Sequence, residues 1–315
     1  MKDNNVPAHG PMIIQSPTEF SAAFAALPPP AHPATARAAF LVAPAGQSLA
    51  AESATDNAYM HLDAQVDPGR ALAQHQALAQ ALRADCPVII FPGDAATPDA
   101  IFPNNVFATT PGRLIIGRMR HAIRRAEAGR GDIRAFFRDV LGYAEVDLSG
   151  RDDLVAELTG ALVIDRGRRI GYCGLSERCD LAGASAMAEA FGLRFVFCFE
   201  LAPGEYHANV VLSLLAGRGV IIAADGFRDP AVPAAITSAY PDCVVQLTPA
   251  QKRAFAGNAI TLNGQRVWMS QRAADALDDA QRQTLAAAGF ALGTPALDEL
   301  EKAGGSLRCC VAEIY

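Results

Sequence analysis

The sequence predicts an α/β fold in which five similar ββαβ units close into a ring. Three observations lead to this prediction. Pairs of short apolar segments are joined by tight, mostly glycine-containing turns, which is typical of β-hairpins. A helical pattern and a further apolar strand follow most of these pairs. The pattern returns at a nearly constant interval, which indicates a repeat architecture rather than two separate domains.

Four of the units are read directly along the chain. The predicted hairpins cover residues 106–117, 161–173, 210–223 and 259–269. The helical patterns that follow cover 133–141, 182–191, 230–238 and 273–288. The third strands cover 144–148, 194–197, 243–247 and 290–292.

The fifth unit joins the two ends of the chain. Its first strand is predicted at residues 310–314. Three elements from earlier in the chain complete the unit: strand 40–44, helix 70–82 and strand 88–91. Residues 1–37 are rich in proline and alanine, and Pro28–Pro30 excludes a continuous helix or strand there. We therefore expect an N-terminal extension over residues 1–37, partly loose, followed by a single domain over residues 38–315.

Composition excludes several classes of function. The chain has 315 residues, 51% hydrophobic and 19% charged, with a net charge of −6. The densest basic stretch, 118–130, is typical of a solvated helix face, so nucleic acid is not expected as a partner. No apolar run approaches the ~18 residues of a membrane helix. The seven cysteines form no CxxC pair, which favours a reducing cytoplasm. Whether the chain assembles with copies of itself is left open.

Chemically useful residues stand at equivalent positions just before the first strand of each unit. They are Asn105, Glu157, His207, Asn258 and Cys309, and their separations are 52, 50, 51 and 51 residues (157−105, 207−157, 258−207, 309−258). In a ring, equivalent positions converge on the axis. The sequence therefore predicts that amides, a carboxylate, an imidazole and a thiol meet at the centre.

Cys309 ends the segment Gly304-Gly305-Ser306-Leu307-Arg308-Cys309 and is the candidate nucleophile. A thiol reacts as its thiolate, and the positive charge of Arg308 favours that form. Glycines allow the backbone to approach a small substrate closely. The alternative is a buried strand cysteine after a turn. Because strand side chains alternate, Cys310 is expected to face away from Cys309.

His207 and Glu157 are the candidate polar partners. The ordinary pKa of histidine, ~6.5, suits a general acid and base, and a carboxylate can grip a guanidinium with two parallel hydrogen bonds. The alternatives are a structural histidine and a solvated turn glutamate. Asn104 and Asn105 place two amides before a strand, where paired asparagines usually form turns.

Six segments carry a resemblance to a known family. In order they are Phe-Pro-Asn-Asn (102–105), Glu-x-Thr-Gly (157–160), Leu-Ser-x-Arg (175–178), Tyr-His-x-Asn-Val (206–210), Phe-Ala-Gly-Asn (255–258) and Gly-Gly-Ser-x-Arg-Cys (304–309). Together they resemble the guanidine-modifying superfamily of arginine deiminase-related, amidinotransferase-like proteins, and within it the citrulline utilisation hydrolases. The resemblance covers about residues 38–315. It implies a five-bladed, pseudo-symmetric α/β propeller, the pentein fold.

The resemblance also implies an activity and a site. The expected protein is a cysteine-dependent hydrolase that cleaves C–N bonds of a guanidino or ureido amino acid, arginine or citrulline, without a metal or organic cofactor. Cys309 is then the nucleophile, His207 the proton shuttle and Glu157 the ligand of the guanidine or urea end. The implied substrate-binding residues are Asn57, Asn104, Asn105, Arg178, Asn209 and Asn258.

Three positions depart from the arginine deiminase pattern. Asn105 and Asn209 stand where those enzymes carry aspartate, and Leu158 stands where a glycine is expected. These departures bear on the choice among arginine, citrulline, methylated and acylated arginine, as do residues 44–69, which we expect to close the site. Two other functions remain open: an amidinotransferase, in which an amine replaces water, and a non-catalytic arginine-binding protein.

Overall fold

The computed structural model describes residues 10–45, 49–60 and 62–315. Its strands are β1 (Met12–Ile14), β2 (Ala38–Val42), β3 (Val88–Phe91), β4 (Phe107–Thr110), β5 (Arg113–Ile116), β6 (Ala144–Asp147), β7 (Leu162–Asp165), β8 (Ile170–Leu175), β9 (Phe195–Glu200), β10 (Leu212–Leu215), β11 (Gly219–Ile222), β12 (Val244–Gln246), β13 (Arg266–Trp268), β14 (Ala291–Gly293) and β15 (Ala312–Ile314).

The α-helices are short, and several are single turns. They are α1 (Pro17–Ala25), α2 (Pro68–Leu82), α3 (Ala122–Arg125), α4 (Gly131–Ala135, continued by a π-helical turn, Phe136–Val140), α5 (Leu158–Ala161), α6 (Leu181–Phe191), α7 (Ala208–Val211), α8 (Ala231–Ala239), α9 (Pro249–Arg253), α10 (Gln271–Ala276), α11 (Asp279–Ala287), α12 (Asp298–Glu301) and α13 (Leu307–Cys310). Among the described residues, none of these helices has both the length and the apolar character needed to cross a membrane.

The described strands form five separate sheets, and none of these sheets closes on itself. Four of them contain the same arrangement, an antiparallel hairpin extended by a third strand parallel to the second: β4-β5-β6, β7-β8-β9, β10-β11-β12 and β15-β2-β3. The last of these joins the two ends of the described chain, since Ala312 lies opposite Phe40. The predicted mixed α/β fold is confirmed.

The fourth predicted hairpin is not formed as expected. Residues 259–262 make a single bridge, between Ile260 and Trp268, and β13 pairs instead with β14. The backbone of Ala259 bonds to a side chain of the preceding unit, since its N donates to Ser213 Oγ at 3.1 Å and its O accepts from the same hydroxyl at 2.8 Å, and the Thr261 side chain accepts from Ala216 N at 2.9 Å. These contacts replace the ladder that the sequence pattern predicts.

Residues 12–25 are an integral part of the packed fold. β1 pairs in parallel with β9, and Ser16 caps α1 by accepting from Glu19 N. Phe20 is fully buried and stacks on Phe197 with ring centroids 4.5 Å apart. The expected looseness of the N-terminal segment is therefore wrong for this part, because a buried aromatic side chain and a strand pairing fix it. Pro28–Pro30 lie outside any helix or strand, as predicted.

Helix α6 shows how the sequence sets the ends and the buried face of an outer helix. Asp180 caps it by accepting from Gly183 N at 2.7 Å, and Gly192 ends it in the left-handed region with φ 65°. Met187 and Ala188 are fully buried against the sheet. Burying a side chain of the size of methionine contributes roughly 1.5–3 kcal/mol, so this apolar face anchors the helix.

The central residues were predicted to lie directly before strands, but single helical turns intervene. Glu157 and His207 are the N-cap residues of α5 and α7. Cys309 lies inside α13, where the amides of Cys309 and Cys310 both donate to Ser306 O, at 3.0 and 3.3 Å. Strand alternation therefore does not separate the two cysteines, although both are buried and only Cys309 lines the cavity described below.

Candidate active site

A cavity with about 290 Å³ of empty space lies where these central turns meet. A lining that combines a thiol, an imidazole, a carboxylate, amides and guanidinium groups suits a small polar ligand. Several predicted site residues line the cavity, namely Cys309, His207, Asn105, Arg178 and Asn57. The other lining residues are Ser53, Met60, Asp99, Phe102, Arg124, Tyr206, Ala303, Gly304 and Gly305.

The thiol of Cys309 is 1% exposed and lies among neutral amides. Its Sγ accepts from Asn258 Nδ2 at 3.3 Å, and the thiol donates to Asn209 Oδ1 at 3.8 Å. Burial raises the pKa of Cys309, while the hydrogen bonds from Asn258 and from the backbone act in the opposite direction. The thiol is therefore protonated at neutral pH in the absence of a ligand.

His207 and Glu157 form a fully buried pair. His207 Nε2 lies 2.8 Å from Glu157 Oε2, and Nδ1 has no hydrogen-bond partner in the described part of the chain. Burial lowers the pKa of His207, and the hydrogen bond to Glu157 opposes that effect. A Cβ at Gly160 would lie 2.7 Å from Nδ1, so only glycine admits the ring here.

Both oxygens of Glu157 are used by protein donors. Oε1 accepts from Arg120 N at 3.1 Å, and Oε2 accepts from Arg178 Nη1 at 3.3 Å and lies against His207. Burial acts to raise the pKa of Glu157, but Arg178 and His207 outweigh it and hold the pKa far below its usual range. The predicted grip of Glu157 on a guanidine is not supported by this geometry, because the carboxylate is occupied in holding His207.

Asp99 is a cavity residue that the sequence reasoning missed. Its Oδ2 accepts from Ser53 Oγ at 2.5 Å, whereas Oδ1 has no partner among residues 10–45, 49–60 and 62–315. Asn105 Oδ1 is likewise without a partner there. Asp99 and Asn105 are each 3% exposed, so two buried oxygens are available to N–H donors in the cavity. Asp99 belongs to none of the recognised segments, so no local signal marked it.

Three of the predicted amides do not line this cavity. Asn104 is fully buried, and neither amide atom has a hydrogen-bond partner within the described ranges. Asn209 and Asn258 support Cys309 from its far side: Asn209 Nδ2 donates to Thr159 O at 3.1 Å, and Asn258 Nδ2 donates to Asn209 O at 2.9 Å.

Arg178 lies buried between the acid–base pair and Asp56. Its Nε donates to both oxygens of Asp56 at 2.9 Å, and Nη2 donates to Asp56 and, at 3.0 Å, to Ser53 O. Its remaining terminal nitrogen, Nη1, is the one that contacts Glu157. Arg178 therefore lies against the cavity with most of its hydrogen bonds already made.

Residues 49–60 form one wall of the cavity, which agrees with the expectation that residues 44–69 close the site. Asn57 Nδ2 donates to Gly304 O at 3.2 Å, in the turn that leads to Cys309. Glu52 fixes the other end of the wall by accepting from Ala122 N and Ile123 N at 2.8 and 3.1 Å. Residues 46–48 and 61 lie outside the described residues.

Arg124 is a second guanidinium in the lining, although the sequence pattern placed it on a solvated helix face. It is 3% exposed and donates to both oxygens of Glu127, at 2.8 and 2.9 Å. It also donates to Phe102 O at 3.1 Å. The internal carboxylate of Glu127 and the backbone carbonyl satisfy the buried charge, which the local composition could not show.

A second cavity, with about 540 Å³ of empty space, lies behind Asn209 and is lined by Arg166, Arg308 and Glu313 among others. It is the larger of the two, but neither the thiol of Cys309 nor the ring of His207 lines it. The smaller cavity is therefore the candidate active site, because it brings these two groups together.

Comparison with known proteins places the chain in a family. A family model described as "N,N dimethylarginine dimethylhydrolase, eukaryotic" matches residues 43–315. The N(G),N(G)-dimethylarginine dimethylaminohydrolase of Mycobacterium tuberculosis is 28% identical over 264 residues, which are 82% of this chain and 80% of that protein. The bifunctional arginine dihydrolase/ornithine cyclodeaminase AgrE of Nostoc sp. is 23% identical over 248 residues. That match covers 78% of this chain, which spans only about a third of AgrE, 33% of its length.

Solved structures agree on the fold. The N-terminal domain of ArgZ, an arginine dihydrolase from the ornithine–ammonia cycle in cyanobacteria, has a TM-score of 0.77 at 21% identity, covering 88% of this chain and 97% of that one. It has been solved with substrate, with product and with a covalently bound reaction intermediate. Because the family model spans all the central residues described above, the chain belongs to the N,N-dimethylarginine dimethylhydrolase family, hydrolases acting on carbon–nitrogen bonds, within the guanidine-modifying superfamily predicted from its sequence.

Proposed function

We propose that the protein is a cysteine-dependent hydrolase that cleaves a C–N bond of a guanidino amino acid of the arginine type. The observation that carries the proposal is the set of groups in one small cavity. They are a thiol, an imidazole held by an ionised carboxylate, and two buried oxygens, on Asp99 and Asn105, without partners among the described residues. Membership of the family and the substrates named for its relatives support the same reaction class.

The reaction proceeds through a covalent intermediate on Cys309. Cys309 passes its proton to His207, and its sulfur attacks the guanidinium carbon, so that a C–S bond forms. A C–N bond of the adduct then breaks, and the departing amine takes the proton from His207. Water adds to the same carbon and gives a proton to His207. The C–S bond breaks, and the thiol regains its proton. Arginine and one water thus give citrulline and ammonia.

The roles of His207 and Glu157 follow from their hydrogen bond. Glu157 is ionised and holds Nε2–H of the imidazole, which leaves Nδ1 as the nitrogen that accepts and returns protons. A carboxylate in this position fixes both the tautomer and the orientation of the ring. Glu157 is therefore a positioning residue, and His207 is the group that exchanges protons with the reacting atoms.

Substrate binding uses groups of both charge signs. The ionised form of Asp99 pairs with the guanidinium cation, and Asn105 Oδ1 accepts a further N–H from it. Both guanidinium groups in the lining are paired with internal carboxylates, but Arg124 Nη1 makes no hydrogen bond among the described residues, and this nitrogen suits the carboxylate of an amino acid. Of the other predicted binding residues, Asn57 shapes the wall beside Gly304, and Asn209 and Asn258 act through Cys309.

A second candidate function is the further cleavage of citrulline to ornithine, carbon dioxide and ammonia. It is favoured by Asn105, an amide where arginine deiminases carry aspartate. An amide can bind a neutral ureido group without leaving a second buried charge uncompensated. The carboxylate of Asp99 can still pair with the guanidinium cation that is the substrate of the first cleavage. The two steps together would convert arginine and two waters to ornithine, carbon dioxide and two molecules of ammonia.

The decisive experiment is a screen of amine release over arginine, N,N-dimethylarginine, citrulline and an acylated arginine, with identification of every product. Citrulline with ammonia or dimethylamine supports the first function, and ornithine adds the second. Guanidinoacetate formed only when glycine is present would indicate an amidinotransferase. Binding of arginine without turnover of any compound would indicate a non-catalytic binding protein and contradict the proposal.

We also infer that the five sheets are the blades of a closed, pseudo-symmetric propeller. The support is a series of hydrogen bonds that joins each unit to the next and the fifth unit back to the first. The bonds are Thr159 Oγ1 to Asn104 O (3.0 Å), Asn209 Nδ2 to Thr159 O (3.1 Å), Asn258 Nδ2 to Asn209 O (2.9 Å), Cys309 N to Asn258 Oδ1 (3.4 Å) and Thr109 Oγ1 to Glu313 O (2.9 Å).

Two further proposals concern the chain as a whole. We propose that residues 38–315 are one catalytic domain and residues 1–37 an extension that packs on β9 through β1 and α1. We also propose a reducing cytoplasm as the place of action, because all seven cysteines are unpaired and buried. Intact-mass analysis of protein from cells, with and without thiol alkylation, would contradict this location if it found disulfides.

A further inference from the structure

One continuous series of polar contacts leads from the catalytic histidine to the protein surface. His207 Nε2 lies 2.8 Å from Glu157 Oε2, and the same oxygen accepts from Arg178 Nη1 at 3.3 Å. The other edge of Arg178 donates to Asp56, with Nε 2.9 Å from each carboxylate oxygen. His121 Nε2 lies 3.0 Å from Asp56 Oδ2, and its Nδ1 lies 3.7 Å from Oε1 of the half-exposed Glu52, which ends the series.

Asp56 is the point at which this series meets the cavity wall. It lies in the segment 49–60, between the lining residues Ser53 and Asn57. Burial acts to raise the pKa of Asp56, but its bonds to Arg178 outweigh burial and lower the pKa below its usual value, so the carboxylate is ionised at neutral pH. A carboxylate that takes two N–H groups of one guanidinium fixes the plane of that group as well as its position.

The contact matters because Arg178 and His207 share Glu157 Oε2. While Asp56 holds the opposite edge of Arg178, the guanidinium approaches Oε2 at the longer distance of 3.3 Å, and the imidazole keeps the shorter contact of 2.8 Å. Without the charge of Asp56, Glu157 would be the sole carboxylate among the described residues in ion-pair contact with Arg178. Arg178 would then compete more strongly with His207 for that oxygen.

We infer that Asp56 is a positioning residue of the acid–base pair. It holds Arg178 in the place from which Arg178 and Glu157 orient His207, and it ties that orientation to the cavity wall of residues 49–60. The inference rests on the proposed function, in which His207 exchanges protons with the substrate. His121, on the other side of Asp56, steadies the carboxylate from outside the cavity.

The expected pH effect has a definite sign. The charged and titratable groups around His207 are Glu157, Arg178, Arg124, Cys309, Asp99 and Tyr206. Replacing Asp56 by a neutral residue removes a negative charge from this cluster and leaves Arg178 less compensated. The protonated form of His207 is then less stable, so the ring loses its proton at a lower pH. Proton delivery to the leaving amine needs the protonated ring, so the alkaline limb of the rate profile should move to lower pH.

The test uses Asp56→Asn in the full chain, since asparagine keeps the shape and removes the charge. Histidine labelled with ¹⁵N reports the titration of His207, whose signal is assigned by its loss in His207→Gln. We expect the midpoint to fall by roughly 0.5 pH unit, less than the roughly 1–3 units that a charge in close contact produces, because Asp56 acts through Arg178 and Glu157. We also expect kcat to fall about tenfold, with KM changed less than threefold.

Asp63→Asn is the matched control. It also replaces an aspartate by asparagine, and Asp63 is exposed and makes no hydrogen bond or ion pair with Asp56, His121 or Arg178 among the described residues. We expect the His207 titration to be unchanged in this variant. Asp56→Ser is the second test variant. It also removes the negative charge beside Arg178, so it should shift the titration in the same direction as Asp56→Asn.

The outcomes distinguish the positioning role of Asp56 from the proposed function of the protein. An unshifted His207 titration in folded Asp56→Asn overturns the positioning role, whatever happens to the rate. If Asp56→Asn does not fold, an unshifted titration in Asp56→Ser overturns it. The titration needs no turnover. A shift in protein that releases no amine from any substrate would therefore support the linkage while contradicting the proposed function.

Discussion

The two sides of the catalytic cavity differ in electrostatics. Cys309 lies against the neutral amides of Asn209 and Asn258, and the nearest charge along the chain, Arg308, is paired with Glu313. His207 lies at the end of a series of buried charges instead, beginning with Glu157 and Arg178. The proposed nucleophile therefore has neutral contacts, and the proposed proton-transfer group has charged ones.

This difference implies a division of labour. Charged neighbours fix the orientation of His207 before the substrate binds. Burial keeps the thiol of Cys309 protonated, because no cation contacts its sulfur in the described residues. A guanidinium group that enters the cavity and pairs with Asp99 brings the positive charge that favours the thiolate. If Cys309 is the nucleophile, as proposed, a cationic substrate should favour its activation.

The largest loss of activity is expected from a substitution on the neutral side of the cavity, at Cys309. Cys309→Ser should reduce turnover by at least about 10³-fold and leave the fold intact, because a hydroxyl at neutral pH is a far weaker nucleophile than a thiol. Single-turnover assays with mass spectrometry should also show no covalent adduct. Cys310→Ser is the control. It changes a neighbouring buried thiol that does not line the cavity, and most activity should remain. Loss of activity in the control alone would contradict the assignment.

The next largest loss of activity is expected from a substitution on the charged side of the cavity, at His207. His207→Gln should lower kcat by roughly 10²- to 10⁴-fold, the usual size of a general acid and base contribution. Glutamine can still donate to Glu157, so the buried carboxylate keeps a partner and the fold should be retained. The check is the pH dependence of kcat, in which the limb assigned to His207 should disappear. Near-normal kinetics in this variant would remove His207 from the mechanism.

The sequence predicted the structure best where apolar or polar residues recur at a regular spacing. Alternating apolar segments located most strands, and the spacing of Glu157, His207 and Cys309 predicted that they converge. Resemblance supplied Asn57 and Arg178, which no local rule marks. The helical turns at the centre were less predictable, because hydrophobic periodicity does not encode them. They depend on close packing around Gly160 and on the hydrogen bonds that two backbone N–H groups donate to Ser306 O.

The limits of sequence reasoning are clearest for the carboxylates. Glu157 was assigned to the substrate because a guanidinium is its natural partner, but its partners come from within the protein, from Arg178 and the backbone of Arg120. Asp99 was missed because its importance depends on burial beside Ser53, far away in the chain. Which carboxylate keeps a free oxygen is decided by tertiary contacts, and no local pattern records those contacts.

A smaller effect is expected at the amide that touches the nucleophile. The hydrogen bond from Asn258 lowers the pKa of Cys309 against the effect of burial, so Asn258→Ala should raise that pKa further. At a fixed pH below the thiol pKa, alkylation by iodoacetamide should slow roughly tenfold, which corresponds to a shift of about one pKa unit. Asn104→Ala is the control, since Asn104 makes no hydrogen bond to Cys309 Sγ in the described chain. Equal alkylation rates in both variants would contradict the role of Asn258.

The smallest effect is expected from Asn105→Asp, which adds charge to the substrate end of the cavity. A second carboxylate beside Asp99 should favour the guanidinium of arginine over the neutral ureido group of citrulline. Two buried carboxylates that share a site oppose each other's ionisation, so one of them stays partly protonated and the gain is limited. We therefore expect the ratio of kcat/KM for arginine to that for citrulline to rise by about three- to tenfold, with less ornithine among the products. Asn104→Asp is the control, because Asn104 lies outside the cavity lining. An unchanged ratio in Asn105→Asp would show that the amide does not set the substrate preference, and Asn209 and Leu158, the other departures from the deiminase pattern, would be tested next.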